Sequence, residues 1–103
     1  MIEKLIWMRG KVYSTLTYNK KFTIMEVTDK KIVIRIQNGH TRTIGRDEFE
    51  KPWEKLIKDK QITQKQIYDT GSQNSAYIAA MLSNTIGVNA QIHPAKLEYN
   101  PPE

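Results

Sequence analysis

The strongest constraint on this chain lies in residues 31–46, where Lys31-Ile-Val-Ile-Arg-Ile-Gln37 and His40-Thr-Arg-Thr-Ile-Gly-Arg46 flank Asn38-Gly39. Two β-rich runs around Asn-Gly specify a hairpin, because a two-residue type I′ loop needs positive φ at both central positions. A loop of that length fixes the pairing, placing Arg35 opposite Arg42 and Lys31 opposite Arg46. Like charges directly opposite one another destabilise a strand pair. An anion gripped between them is one compensation; a solvated charged face is the other.

The β pattern extends upstream. Phe22–Val27 and the Lys31 run are separated by the short turn Thr28-Asp29-Lys30. Phe22 and Ile24 are expected to share an apolar face with Ile32, Ile34 and Ile36, leaving Met25, Val33 and Ile44 among the cations on the other. Lys11–Tyr18 reads as a further strand, and Leu5–Met8 as a weaker fifth. From Asp47 the period becomes helical, with Phe49, Trp53, Leu56 and Ile57 on one stripe. Pro52 interrupts it, so a turn is expected at 47–50 and a regular helix from about Pro52. Ile62-Thr-Gln-Lys-Gln-Ile67 is a helix start in which Thr63 caps, Gln66 closes a capping box and Ile62 staples onto Ile67. That helix should end near Asp69. A third begins at Ser75 and stops before Gly87, burying Tyr77, Ile78, Met81 and Leu82.

The expected fold is therefore α+β: an antiparallel meander of four or five strands, as a small sheet or partial barrel, followed by three short helices. One domain is expected over residues 1–95, β-rich over 1–46 and helical over 47–86. Val88 onward, with His93-Pro94, has room for one edge strand, and residues 96–103 are expected to form a flexible tail.

Charge is divided unevenly. Residues 1–46 hold ten Lys or Arg against three acids, a net +7, and the remaining 57 residues sum to −2. A pI near 9.5 favours phosphate-bearing partners. There is no cysteine, so disulfide and thiol chemistry are excluded and a reducing, cytoplasmic setting is expected. No apolar run reaches membrane-span length and no secretory signal is evident, so no membrane partner is expected.

Catalysis finds little support. The two histidines, His40 and His93, have no second ligand at metal-binding spacing. Asp47, Glu48 and Glu50 suit a helix start, where the macrodipole favours negative charge. No nucleophile elbow or phosphate-binding glycine loop is present. Helices two and three outline a helix-turn-helix around Gly71, but the third carries no Lys or Arg with which to hold phosphates, and its apolar residues suit a core. The basic hairpin remains as the binding candidate: Lys31, Arg35, Arg42 and Arg46 on one face, with Gln37 and His40 toward the tip. Guanidinium forks match phosphate geometry. Lys11, Lys20, Lys21 and Lys30 would widen the field, and Trp7, Tyr13 and Tyr18 are available to stack bases.

The succession Phe-x-Ile-x-x-Val from Phe22, Arg42-x-Ile-x-Arg-x-Glu-Phe-Glu50, Trp53-x-x-Leu56, Ile62-Thr-x-x-x-Ile67 and Asn74-Ser-Ala-Tyr-Ile-Ala-Ala-Met-Leu82 covers about 60% of the chain. It resembles small modules appended to prokaryotic and phage DNA-handling and restriction-type proteins. The resemblance implies DNA-related binding and marks Arg42, Arg46 and the segment from Asn74 to Tyr77. Together these readings lead to a non-enzymatic, cofactor-free protein that binds DNA through the hairpin. A homo-oligomer that sequesters a nucleotide or small signal molecule and a protein-interaction adaptor are the alternatives.

Overall fold

The computed structural model describes residues 2–85, 87–92 and 95–100, with residues 2–4 in backbone only. Four antiparallel strands open the fold in the order β1-β2-β3-β4: β1 (Val12–Ser14), β2 (Lys21–Val27), β3 (Lys31–Ile36) and β4 (Thr41–Gly45). Helix α1 (Arg46–Asp59) follows without a break. Next come β5 (Gln61–Thr63), α2 (Gln64–Asp69), α3 (Ser75–Ser83), β6 (Val88–Gln91) and β7 (Lys96–Tyr99). The last three strands make a second antiparallel sheet in the order β5-β7-β6. The α+β class and the four-stranded meander are as expected; the second sheet is an addition.

The hairpin register departs from expectation. β3 and β4 pair Lys31 with Gly45, Ile32 with Ile44, Val33 with Thr43, Ile34 with Arg42 and Arg35 with Thr41. The loop therefore spans three residues, Gln37–Gly39, closed by Gly39 N donating to Ile36 O and Ile36 N donating to His40 O, both at 2.9 Å. Gly39 stands at φ +90°, whereas Asn38 has no positive φ and instead accepts the His40 N–H on its Oδ1 at 2.9 Å. Asn38 thus acts through its side chain rather than through a left-handed backbone. A slip of one residue turns every β4 side chain to the other face. Ile44 moves to the core and is fully buried, where a two-residue loop would have left it among the cations. Burying such a side chain contributes about 1.5–3 kcal/mol. The same slip removes both facing pairs of like charge, which explains why this register wins over the shorter turn.

The inner face of the first sheet carries Phe22, Ile24, Ile32, Ile34 and Ile44, all buried. Helix α3 lies at the centre of the core. Ile78, Met81 and Leu82 are buried as expected, but so are Ala79 and Ala80, because the helix packs against β1, β6, β7 and α2. The small alanines let this close surround form. Tyr77 is half-buried at the margin.

Other differences have local causes. Residues 2–8 form a 3₁₀ helix rather than a strand, and its three-residue period puts Leu5 and Met8 into the core together. β1 is shorter than the expected Lys11–Tyr18, since Thr15 begins a tight turn. Helix α1 starts at Arg46 rather than near Pro52. Pro52 forfeits one backbone bond, a cost of about 3 kcal/mol in a helix interior. Burial of Phe49, Pro52, Trp53 and Leu56 along a single face holds the helix through it. The α2 start follows the sequence: Thr63 Oγ1 accepts from Gln66 N at 3.1 Å and Gln66 Oε1 accepts from Thr63 N at 2.8 Å. Residues 96–99, expected to begin a tail, are the central strand of the second sheet, anchored by buried Leu97. His93-Pro94 and the last three residues lie outside the described residues.

Two stability effects follow. Gly39→Ala forces a Cβ into the left-handed region and should cost about 1–2 kcal/mol. Leu82→Ala empties a fully buried position and should cost about 2–5 kcal/mol. Urea denaturation of each variant reads both.

Candidate functional site

The register distributes the hairpin cations over two faces. Arg35 and Lys31 are exposed on the outer face, opposite Thr41 and Gly45. Arg42, opposite Ile34, projects from the inner face at the rim of the core. The expected Arg35–Arg42 clamp does not form, because the two side chains leave the sheet in opposite directions. Arg46 has partners of its own. As the first residue of α1, it donates from Nη1 to Asp29 O at 3.2 Å and pairs through Nε with Glu50 Oε1 at 3.6 Å. Its role is to tie the start of α1 to the β2–β3 turn. His40 is exposed, with its backbone committed to the hairpin loop.

What gathers around Arg42 is a different constellation. Its guanidinium lies 5.6 Å from the Tyr77 ring centroid, and Nη1 makes a long hydrogen bond of 3.5 Å to Asn74 Oδ1. Tyr77 meets Phe22 edge-on at 5.2 Å, and Phe22 is followed by Tyr13 at 6.3 Å. Burial pushes the Tyr13 phenol above its ordinary range. This aromatic run fixes the surface on which Arg42 rests.

Asn74 is itself held from below. Its Nδ2 donates to Glu48 Oε1 at 3.2 Å, and its backbone N donates to Ser72 Oγ at 3.1 Å. Ser72 Oγ in turn donates to Glu48 Oε1 at 2.9 Å. Glu48 Oε2 accepts from Gly45 N at 2.8 Å, forming half a capping box, as Gly45 has no side chain to return the bond. One carboxylate thus joins the start of α1, the α2–α3 loop and, through Asn74, the hairpin arginine. With Nδ2 committed to the carboxylate, the Asn74 amide has its oxygen turned toward Arg42.

Above this network an open depression of about 440 Å³ is lined by Lys20, Ile36, Gln37, Asn38, Arg42 and Tyr77. Among the described residues no carboxylate lies within ion-pair distance of Lys20 or Arg42. Of the residues marked by the sequence, Arg42 and Gln37 line the depression and Asn74 meets Arg42 at its edge, while Lys31, Arg35, Arg46 and His40 are not in the lining. Glu48, Ser72 and Asn38 were not singled out as site residues. A glutamate three residues after a glycine that begins a helix signals a cap, but its reach to Asn74 depends on tertiary packing. Among the described residues no group of His, Asp or Glu is placed to hold a metal ion, and no helix is long and apolar enough to cross a membrane.

The Glu48 carboxylate accepts three hydrogen bonds, so Glu48→Ala should lower stability by about 1–3 kcal/mol. The loss is read by urea denaturation. Compared with family models, curated proteins and solved structures, the chain shows no match.

Proposed function

We propose that this protein is a non-enzymatic binder of nucleic acid, DNA in the first instance, which it engages through the Arg42 face of the hairpin. One observation carries the reading. Arg42 is stacked on Tyr77, steered by Asn74 and free of any described carboxylate, at the edge of a depression that Lys20 also lines. An arginine so placed keeps guanidinium N–H groups for phosphate. Gln37 and Asn38 add amide groups at the same rim. The basic charge of residues 1–46 favours encounter with a polyanion. The resemblance to modules of DNA-handling proteins points the same way.

A second reading, a mononucleotide or small phosphate-bearing signal molecule, is favoured by the lining of the depression, where Lys20 and Arg42 supply cations, Gln37 and Asn38 amides and Tyr77 a ring. Competition separates the two, since a mononucleotide that fills the site displaces labelled DNA at low concentration.

The test is fluorescence anisotropy with labelled DNA over a salt series. Arg42→Gln should weaken binding and reduce the slope of log affinity against log salt by about one. Arg35→Gln removes the same charge from the opposite face of the same hairpin and should have a much smaller effect. Equal effects of the two would reduce the site to general charge, and absence of DNA binding would remove the reading.

A further inference from the structure

Tyr18 is 76% exposed, in the loop between β1 and β2. That loop is well held. Thr15 N donates to Lys20 O at 2.9 Å, Lys20 N donates to Thr15 Oγ1 at 2.9 Å and Asn19 N donates to Thr15 O at 3.1 Å. Thr15 is buried at 6% exposure, and Asn19 takes the left-handed conformation at φ 53° that closes the turn. A large aromatic ring is therefore displayed to solvent from a fixed turn. Lys20 links this ring to the depression: its Nζ lies 5.9 Å from the Tyr18 centroid, and it lines the same cavity as Arg42.

An exposed ring beside Lys20, which lines one depression together with Arg42, matches a nucleotide whose base is unpaired. A duplex shields its base faces, so it gains nothing from a ring displayed to solvent. A single strand offers both a base to stack and a phosphate to neutralise. The hairpin geometry agrees. A ribbon entering a duplex groove needs its cations directed into that groove, whereas here Arg35 and Arg42 project from opposite faces. Most of the inner face is also closed by the core, where Ile32, Ile34 and Ile44 are fully buried.

We infer that the site takes single-stranded nucleic acid, one base stacking on Tyr18 while the neighbouring phosphate meets Lys20 and Arg42. This rests on the nucleic-acid reading above and names the form of nucleic acid it takes.

The probes are a fluorescein-labelled oligothymidylate of about 12 nucleotides, within the span of known single-strand sites, and a labelled duplex of equal length. Wild-type protein should bind the single strand more tightly than the duplex at the same salt. Tyr18→Ala should weaken single-strand binding about 5- to 100-fold, as loss of one base stack does, without changing the salt slope. Tyr18→Phe, which keeps the ring, should retain binding. Thermal melting of both variants verifies the fold, which an exposed side chain should not disturb. Equal or tighter duplex binding, or a neutral Tyr18→Ala beside a damaging Arg42→Gln, overturns the single-strand inference and leaves the nucleic-acid reading standing. Failure to bind either probe overturns both.

Discussion

The placement of Gly39 decides more of this molecule than any other local feature. With glycine in the left-handed position of a three-residue loop, β4 is offset by one residue from the register of a two-residue turn. Ile44 then faces Ile32 in the core, and Arg42 follows it onto the inner face. A backbone choice at a solvent-exposed loop thereby sets which arginine meets the helices and which meets water. The hydrophobic gain from Ile44 and the relief of like-charge pairing act in the same direction, so local turn chemistry and global packing agree on one register.

Glu48 is the second organising element. Helix α1 grows directly out of β4, which puts its third residue beneath the hairpin, and the carboxylate there collects Gly45, Ser72 and Asn74. Two segments distant in sequence, the β4–α1 junction and the α2–α3 loop, are joined at one charged group. Hydrogen bonds to an ionised acceptor are stronger than neutral ones, and such a hub gives Asn74 a defined amide orientation. Arg42 receives its position from that amide and from Tyr77, while Tyr77 receives its own from Phe22. The arginine is the exposed end of two supporting chains, one polar and one aromatic.

The distribution of charge takes on a different meaning once the faces are known. Arg46 is spent on the helix start and Lys31 and Arg35 point outward, so the basic first half does not form a single cationic plane. Lys20, from the β1–β2 loop, and Arg42, from β4, line one depression at the loop end of the sheet. The unmatched charge there lies next to amide groups and a displayed tyrosine, and it is this mixture of chemistry, more than net charge, that supports the proposed binding mode.

Much of the architecture was legible in the residues alone. The β-branched runs, the alternation of Phe22 and Ile24 with Ile32, Ile34 and Ile36, the Thr63–Gln66 capping box and the apolar residues of α3 all act over a few positions, and local physics read them correctly. Asn38-Gly39 marked a hairpin but left its loop length undetermined, because Asn-Gly fits both a two-residue turn and a longer one in which the glycine alone is left-handed. Burial of Ile44 settled that choice, and it depends on how the sheet packs into the core rather than on the turn residues. The second sheet was hidden for a similar reason: β5, β6 and β7 are three or four residues each and become strands only when Leu97 finds the core. Sequence determined which segments are strands and helices wherever the pattern is long and periodic. Tertiary structure decided the register, and with it the company that each arginine keeps, because a one-residue slip leaves composition and periodicity unchanged while reversing every side chain on the strand.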